Sequence, residues 1–590
     1  MVDKKRPNEN TIADGYSLND ERKPVTGPEL DFDYGCENEP EEDGETPPYN
    51  SGLAHHLPDA DMPKLRQTHE GEHHGDLGNI PVSITKSAYL YTLCAAINSC
   101  NLGYDIGVNT NAAPLVQSDL ELTDVQLEIF VGAINLFAMF GALASQTISD
   151  QHGRRKTFLL AAFSFIIGSG IQSIAQSYMV LMFGRVFVGL AVGIGLAIDP
   201  LYISEMVPAT HRGELVTWAE TALQVGIVLG FSTGFVFSSV PDETAWRYMF
   251  GCGIFLPSLM VFLSTFIMPE TPRWLVVNER ENEARHVLTK IYPVGYDVNP
   301  VVDDIKESVK REVLAEQNVG WDVILFPSPA FKRILVVGIG IAIAQQAVGI
   351  DAIQYFLVYI LDETGIKSRE EQSAVLMFIG IVKLLCILIA GKLLDLRGRR
   401  PLFFVSLCGI AGSCLLLSIN FYGSSYSASF AIFGLSLYMA FFALGMGPGG
   451  WLVPAEVFPT CIRGKAISIS AFMNRVTATL MASTFLSTAK AMTWAGFFFL
   501  LAIIACLVLL FIYYFVPETK GRSLEDMSIY FAEITGDMSL LETEEKLVRE
   551  REVRESEVEV TTISRTFTPP TARDIPPEAL QDATVVGTMS

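Results

Sequence analysis

The amino-acid sequence predicts an all-α integral membrane protein with twelve transmembrane helices in two similar halves. Apolar runs of about 20 residues, the length that a helix needs to cross a bilayer, recur along the middle of the chain. Twelve such runs lie near residues 87–108, 126–148, 157–176, 178–203, 215–239, 246–268, 332–361, 373–394, 401–421, 427–454, 464–488 and 493–516. One soluble core would not hold so many apolar helices, so we expect a polytopic membrane protein.

Three motifs that each occur twice support the division into halves. The pairs are residues 150–155 with 395–400, Glu205 and Arg212 with Glu456 and Arg463, and residues 269–273 with 517–522. Each pair is displaced by roughly 245 to 251 residues. A fixed displacement of this kind is typical of an internal repeat.

The distribution of charge predicts the orientation in the membrane. One set of short loops carries Lys and Arg, including Arg154 and Arg400, whereas the loop predicted at 109–126 carries three acids and no base. Because basic loops stay in the cytoplasm, we expect that side, and with it both termini, to be cytoplasmic. The predicted location is the plasma membrane.

These boundaries predict five segments. They are a disordered cytoplasmic tail at 1–85, an N-terminal bundle at 86–268, a cytoplasmic linker with short helices at 269–331, a C-terminal bundle at 332–516 and a cytoplasmic tail at 517–590. The net charge of −23 comes mostly from the two tails, so it does not describe the membrane part. The N-terminus shows no apolar signal-peptide region, and the nine cysteines show no paired spacing, so we expect neither disulfides nor a metal site.

Asp105, near the predicted end of the first span, is the main candidate for proton binding. A carboxylate inside a span is costly and usually faces a polar cavity where it has a function. Arg185, near the start of the fourth span, is on the same side of the membrane and is its expected partner. The alternative is that Asp105 lies in water at the extracellular end of its helix. Asp199 is expected nearer the cytoplasmic end, solvated or paired with an arginine.

A second group of polar residues points to mid-membrane and is our candidate for solute binding. Its members are Glu220, Gln224, Gln345, Gln346, Asp351, Tyr355, Lys383, Trp451 and Asn474. Amides and carboxylates pair with vicinal hydroxyls, and an indole stacks on the C–H face of a sugar, so the group fits a small polyhydroxylated solute. A buried Lys383 needs an acid nearby, either Asp351 or Glu220. The alternative is that these groups only pair helices with one another.

Other classes of function fit the sequence less well. There is no Walker lysine motif for a nucleotide, and the polar groups form no symmetric ring of the kind found in ion channels. The spans hold no nucleophile–base pair or metal cluster, so we expect no enzyme activity and no cofactor. We also expect no nucleic-acid partner.

Residues of about 87 to 527 resemble the sugar porter family of the major facilitator superfamily. The motifs that carry the resemblance are Gly-Arg-Arg in both halves and residues 269–274, 345–350, 447–451 and 517–522. The resemblance implies two six-helix bundles around a central cavity, with alternating access by rocking of the halves. It also implies a cytoplasmic gate formed by Arg154, Glu205, Arg212, Glu270, Arg273, Arg399, Glu456, Arg463 and Glu518.

Within that family, the chain is similar to the plant-type branch of proton-coupled polyol and monosaccharide symporters. Glu220, Asp351 and Lys383 stand where hexose carriers usually have amides. The resemblance implies that Asp105 is the proton site and that Arg185 modulates it, in a protein that works as a monomer. Residues 109–111, Ala344 and residues 449–450 depart from the family pattern, so the solute stays open. A passive carrier and a transporter-like nutrient sensor are the alternatives.

Overall fold

The computed structural model describes residues 84–318, 322–423, 426–459, 461–543, 545, 546 and 549. The predicted disordered segment at 1–85 therefore lies almost wholly outside the described residues, as does most of the C-terminal tail. The described part consists of helices joined by short connections, and no strand is assigned within it.

The N-terminal half contributes seven helices to six spans. They are α1 (Lys86–Asp119), α2 (Asp124–His152), α3 (Arg154–Ser173), α4 (Tyr178–Met206), α5 (Ala209–Val236), α6 (Asp242–Cys252) and α7 (Phe255–Phe266). Four shorter helices follow, namely α8 (Pro272–Val277), α9 (Glu281–Ile291), α10 (Asn299–Asn318) and α11 (Asp322–Leu325).

The C-terminal half is built in the same way. Its helices are α12 (Pro329–Ala347), α13 (Ile350–Tyr355), α14 (Leu357–Glu363), α15 (Arg369–Arg397), α16 (Arg399–Tyr422), α17 (Ala428–Leu444), α18 (Met446–Val457), α19 (Arg463–Ser483) and α20 (Phe485–Phe515). A final helix, α21 (Leu524–Thr535), packs against α12 and α18.

Ten of the twelve spans are long and apolar enough to cross a membrane by composition alone. The other two are α1, with 34 residues, and α19, with 21, which carry more polar side chains. Both are packed inside the helical assembly, α1 against α5 and α19 against α2 and α12. The predicted all-α membrane fold is confirmed.

The first helix is longer than the sequence predicts. Residues 109–119 were expected in an extracellular loop, but they continue α1, and Asn109, Thr110 and Asn111 are buried. The reason is tertiary packing against α5, where Gly107 and Gly230 let the two backbones come close. The amide of Asn111 is satisfied there, because its Nδ2 donates to Phe231 O at 3.0 Å.

The seventh span is not the single helix that its apolar run predicts. It is divided into α12, α13 and α14, and Gly349 between the first two adopts a left-handed backbone with φ of 90°. The tenth span bends at Gly445, which separates α17 from α18. Both breaks leave irregular backbone inside the bundle, where protein rather than lipid surrounds it.

The two halves meet through α2 with α19 and through α5 with α15. We call the side that carries the motifs at 150–155 and 395–400 the motif face, and the opposite side the far face. Several hydrogen bonds join the halves near the far face. Glu128 accepts from Ser487 N at 2.6 Å and from Ser487 Oγ at 2.5 Å, and Lys490 contacts Asp124 at 2.5 Å.

Candidate functional site

Asp105 lies inside the N-terminal half and not at a helix end. It is 6 % exposed, and its Oδ2 is 3.6 Å from Nη1 of Arg185, which is fully buried. Asn109, one turn further along α1, donates from Nδ2 to Asp105 Oδ2 at 2.8 Å and accepts from Arg185 Nη2 through its Oδ1. The alternative that Asp105 lies in water at the end of its helix is therefore wrong, because α1 continues for about four more turns, to Asp119.

Aromatic rings surround the positive charge of this pair. The guanidinium carbon of Arg185 lies 3.9 Å from the centre of the Phe130 ring and 5.8 Å from that of Phe250. Such contacts hold a cation where water is excluded. On the other side of Asp105, a cavity with room for about one water molecule is lined by Asn101, Tyr104 and Ser169, among others. The carboxyl group thus has one cationic partner and a small polar space beside it.

A second polar cluster lies where the two halves meet. Lys383 Nζ donates to Gln354 Oε1 at 2.8 Å, and Glu220 and Asp351 are its electrostatic neighbours. Both acids that the sequence predicted near Lys383 interact with it electrostatically, and its hydrogen-bond partner is an amide. Gln224 is buried one turn from Glu220 on α5.

Asp351 instead forms its ion pair with Arg475, at 3.7 Å from Oδ2 to Nη1. The same guanidinium donates to Asn474 Oδ1 at 2.6 Å and, across the interface, to Asn135 Oδ1 of α2 at 3.1 Å. Arg475 therefore links the broken seventh span, its own helix α19 and the opposite half of the molecule.

Gln345 connects three helices of the C-terminal half. Its Oε1 accepts from Asn474 Nδ2 at 2.8 Å, and its Nε2 donates to Gly447 O at 2.7 Å, next to the bend at Gly445. The buried Gln346 beside it has an Oε1 with no partner among the described residues. Within the described residues, this region therefore contains amide groups that are hydrogen-bonded and an amide oxygen that is not.

Tyr355 and Trp451 complete the sequence-predicted set. Tyr355 is buried and interacts electrostatically with both Asp105 and Asp351, so it lies between the two clusters. Trp451 on α18 is 40 % exposed. An exposed indole beside buried amides is a suitable surface for stacking on a sugar or polyol.

The predicted gate residues of the N-terminal half form one cluster at the motif face. Arg154 donates from Nη2 to Glu205 Oε1 at 2.8 Å and from its backbone N–H to Glu270 Oε1 at 2.8 Å. Thr271 also donates to Glu205, at 2.7 Å. Burial raises the pKa of Glu270 above its usual range, against the opposing effect of the backbone N–H groups that it accepts from.

The C-terminal half repeats this cluster. Arg399 donates from Nη2 to Glu456 Oε1 at 2.8 Å and from its backbone N–H to Glu518 Oε1 at 2.9 Å. Thr519 donates to Glu456 at 2.5 Å, as Thr271 does to Glu205. The residue before each arginine is a glycine, and a bend of the same form therefore opens α3 and α16.

The remaining gate residues lie beside these clusters. Arg273 Nε is 3.9 Å from Glu205 Oε1. Arg212 is an electrostatic neighbour of Arg273, of Glu205 and, from the opposite half, of Arg463. Two positive charges of different halves thus come close at the motif face.

Asp199 differs from its expected environment. It is buried, and its partners are Asn98 and Ser99 of α1 rather than water or an arginine. The residues that sequence reasoning did not include in a site are Asn98, Ser99, Asn109, Gln354, Arg475, Asn135 and Glu128. All except Asn109, which the sequence places in a loop, are polar residues within predicted apolar spans, and that position is the signal by which they could have been selected.

The fold and these clusters define a polytopic membrane transporter with polar sites between two helical halves. Residues 91–531 match the family model described as "Sugar (and other) transporter". The chain belongs to this family, which confirms the resemblance drawn from its motifs, and it is a transporter rather than an enzyme.

The chain is similar to several known transporters. It is 36 % identical over 440 residues to "Probable polyol transporter 4" of Arabidopsis thaliana, covering 74 % of this chain and 84 % of that protein. It is 33 % identical over 455 residues to "Glucose transporter GlcP" of Staphylococcus epidermidis, covering 76 % and 98 %. Among solved structures, the xylose transporter XylE from E. coli in a partially occluded inward open conformation matches with a TM-score of 0.65 at 23 % identity, covering 75 % of this chain and 100 % of that one.

Proposed function

We propose that this protein is a secondary active transporter that carries a polyol or monosaccharide together with a proton. Each monomer is a complete transport unit that works by alternating access. The observation that carries the proposal is the buried Asp105–Arg185 pair, to which Asn109 hydrogen-bonds. This pair lies in the N-terminal half, and a second polar cluster lies where the two halves meet.

Asp105 is the group that loads the proton. A buried carboxylate beside a fixed guanidinium is charge-balanced when ionised, and the small adjacent cavity offers water a place next to it. A proton entering along a membrane potential of about 100 mV contributes about 2.3 kcal/mol, which supports roughly fiftyfold accumulation of a neutral solute. A solved structure of the proton:xylose symporter XylE has the same fold, with a TM-score of 0.64 at 24 % identity.

The solute is proposed to bind at the cluster of Glu220, Gln224, Gln345, Gln346, Asp351, Tyr355, Lys383, Trp451 and Asn474. These residues present amide, carboxylate and ammonium groups that pair with hydroxyls, beside a partly exposed indole. The names of the polyol transporters among the relatives support a polyol, as well as a sugar, as the solute of this chain. Tyr355 connects solute binding to the proton site, because it interacts with Asp105 and Asp351 alike.

The motif face is proposed to be cytoplasmic, with both termini on that side and the protein in the plasma membrane. The paired clusters at Arg154 and Arg399, with Arg212, Arg273 and Arg463, would form the gate there. In this conformation the arginine–glutamate pairs lie within each half, and the hydrogen bonds at Glu128 and Asp124 join the halves at the far face. This arrangement fits an inward-facing state.

The test is current under voltage clamp in a cell that lacks related carriers, on addition of a panel of polyols and sugars at acidic and at neutral external pH. Inward current that grows at acidic pH is expected, and its size ranks the solutes. Asp105→Asn is expected to abolish current and accumulation while solute exchange continues. Asp362→Asn, which changes an exposed carboxyl group on α14, is the control.

Other outcomes would overturn the proposal in distinct ways. Labelled uptake without current would make the protein a passive carrier and remove the role of Asp105. Absence of both, with the protein shown at the cell surface, would favour a nutrient sensor that uses the transporter fold.

A further inference from the structure

We propose that Asp199 is a second proton-binding carboxylate of the N-terminal half, held between α1 and α4 by Asn98 and Ser99. Asn98 donates from Nδ2 to Asp199 Oδ1 at 2.8 Å, and Ser99 donates from Oγ to Asp199 Oδ2. The carboxyl group is 2 % exposed. Its protonation does not depend on the proposed function, whereas its use in transport does.

The surroundings of Asp199 contain neutral partners and no cation among the described residues. On α1, the groups that contact it are an amide and a hydroxyl, and its electrostatics show no charged neighbour. On α4 itself, Arg185 is 14 residues away, about 21 Å along the helix, and Glu205 is six residues away, about 9 Å. The carboxyl group is therefore without the counter-charge that Asp105 has.

The charged and titratable groups of the neighbouring helices are engaged elsewhere. From α3 and α8, Arg154 and Arg273 are directed to Glu205. From α5, Glu220 interacts with Lys383 and not with Asp199. On the remaining neighbour α2, Glu128 and Asp150 lie near opposite ends of the helix, bonded to Ser487 and to Arg154. On α1, the Cys94 thiol is one turn from Asn98.

The cations inside the membrane are likewise engaged with other acids. Arg185 pairs with Asp105, Arg475 pairs with Asp351, and Lys383 interacts with Glu220 and Asp351. A buried carboxylate without a cation is costly, and uptake of a proton removes that cost. Burial with neutral partners alone therefore favours the neutral acid at Asp199.

The hydrogen bonds of Asp199 suit both protonation states. Asn98 Nδ2 donates to a carboxyl oxygen that can accept this hydrogen bond whether the carboxyl group is ionised or protonated. The Ser99 hydroxyl is donor and acceptor, so it donates to a carboxylate and accepts from a carboxylic acid across the same contact. Gly195 gives the amide its place, since a Cβ there would lie 2.6 Å from Asn98 Nδ2. The proton can thus come and go without a rearrangement of the two helices.

The position of Asp199 relates it to the first proton site. Ser99 lies six residues before Asp105 on α1, which is about 9 Å toward the motif face. The two carboxyl groups are held by the same pair of helices, α1 and α4, at successive depths. Asp199 therefore lies between Asp105 and the motif face, which is the face through which an imported proton leaves in the proposed cycle.

The test is infrared difference spectroscopy of the full-length protein in lipid, titrated across acidic to alkaline pH in choline buffer. A C=O band of a protonated carboxyl group is expected that Asp199→Asn removes and Asp105→Asn, the matched control, retains. Ser99→Ala, which keeps the carboxyl group but removes one partner, is expected to shift the frequency of that band. A spectrum that neither Asp199→Asn nor Ser99→Ala changes would overturn the proposal.

Two further outcomes separate this site from other interpretations. If sodium in place of choline removes the band, the site takes up a metal cation, and the proton assignment is wrong. If Asp199 relays the proton that Asp105 loads, Asp199→Asn is expected to lower the maximal solute current several-fold, while the ratio of one proton per solute, from the reversal potential, stays the same. An unchanged maximal current would overturn a role in coupling, whereas absence of any solute current in the wild type would overturn the proposed function and leave the infrared result standing.

Discussion

The carboxylate of Asp105 and the guanidinium of Arg185 lie 3.6 Å apart, and the side chain of Asn109 hydrogen-bonds to both of them. Asn109 thus fixes the distance between an acid of α1 and a base of α4. The Nε and Nη1 atoms of Arg185 have no hydrogen-bond partner among the described residues, so the contact through Nη2 matters for this buried cation.

We expect Asn109→Ala to lower the free energy of unfolding by about 1–3 kcal/mol, because a buried charged donor and an acceptor lose their partner. Accumulation of solute is expected to fall as the pair loosens. Thermal unfolding in detergent and steady-state uptake measure the two effects. Thr92→Ala is the control on the same helix, since the buried Thr92 hydroxyl has no partner among the described residues. Equal losses in both variants would contradict the bridging role.

Arg475 leads to a prediction about solute affinity. Arg475→Gln leaves Asp351 without its cation and disconnects Asn135 of the opposite half. We expect a rise in KM of tenfold or more, which corresponds to a loss of at least about 1.4 kcal/mol in the free energy of solute binding. Initial uptake rates over a range of solute concentrations measure it.

The double variant Asp351→Asn with Arg475→Gln is expected to recover part of that loss, because no unpaired charge remains. Arg475→Lys keeps the charge without the planar fork and is expected to be intermediate. A double variant that is worse than both single variants would rule out a direct pairing.

The glycines that precede the two gate arginines predict a strict steric requirement. Gly153 and Gly398 have φ of 94° and 91°, and a Cβ at Gly153 would lie 2.3 Å from Glu270 Oε2. We expect Gly153→Ala to cost about 1–3 kcal/mol from backbone strain, with a further cost from the clash. The yield of folded protein and its thermal unfolding measure the effect.

Gly391→Ala is the matched control, because Gly391 lies inside α15 with nothing within 4 Å of a new Cβ. That change is expected to be neutral or stabilising. A Gly153→Ala variant as stable as Gly391→Ala would show that the bend at the motif is dispensable.

Two links at the far face are expected to differ in strength. Glu128 is buried and accepts two hydrogen bonds from Ser487, whereas Asp124 is partly exposed and Lys490 largely exposed. We expect Glu128→Ala to destabilise the protein by about 1–3 kcal/mol. Lys490→Ala is expected to cost at most about 1 kcal/mol, since exposed pairs contribute little. The test is thermal unfolding of the wild type and both variants at low and high salt. High salt screens the Asp124–Lys490 pair, so it is expected to remove the effect of Lys490→Ala and to leave that of Glu128→Ala unchanged.

Asp537 predicts a pH dependence at the motif face. Its Oδ2 accepts from Ala330 N at 3.0 Å in the first turn of α12, and these hydrogen bonds hold the pKa of Asp537 well below its usual range. A carboxyl group with a lowered pKa stabilises the folded form above its ordinary pKa of about 3.9 and loses that effect as pH falls through the folded value. Docking of α21 is therefore expected to be firm at neutral pH.

Hydrogen exchange in α21 tests this at neutral and at strongly acidic pH. At neutral pH, Asp537→Asn is expected to exchange faster than the wild type. The difference is expected to vanish once the wild-type carboxyl group is protonated. Glu542→Gln, a nearby acid, is the control, and equal exchange of all three proteins at neutral pH would contradict the prediction.

Much of the fold could be predicted because membrane helices are specified by local composition. Length and hydropathy identified the spans, and the repeated motifs identified two halves. The extent of α1 could not be predicted, because Asn109, Thr110 and Asn111 look like a loop until α4, α13 and α5 supply their partners. The break at Gly349 was missed for a similar reason, since Val-Gly-Ile is compatible with an apolar helix.

The candidate site could be predicted by residue type but not by pairing. Asp105 and Arg185 were assigned to each other correctly, because span order places them on one side of the membrane. The acids expected near Lys383 are there, but its hydrogen bond to Gln354 and the pairing of Asp351 with Arg475 were not predicted. Such choices depend on the rotation of α15 and α19 and on the irregular seventh span, and a single sequence does not specify them.

In the proposed cycle, with Asp105 as the proton site, the permanent charge of Arg185 determines which half of the cycle senses the membrane potential. With Asp105 ionised the pair is electrically neutral, so the empty carrier returns without work against the field. When Asp105 takes up a proton, the guanidinium is left uncompensated, and the loaded carrier moves one positive charge. A cell that depolarises would therefore slow the inward stroke and leave the return stroke unchanged.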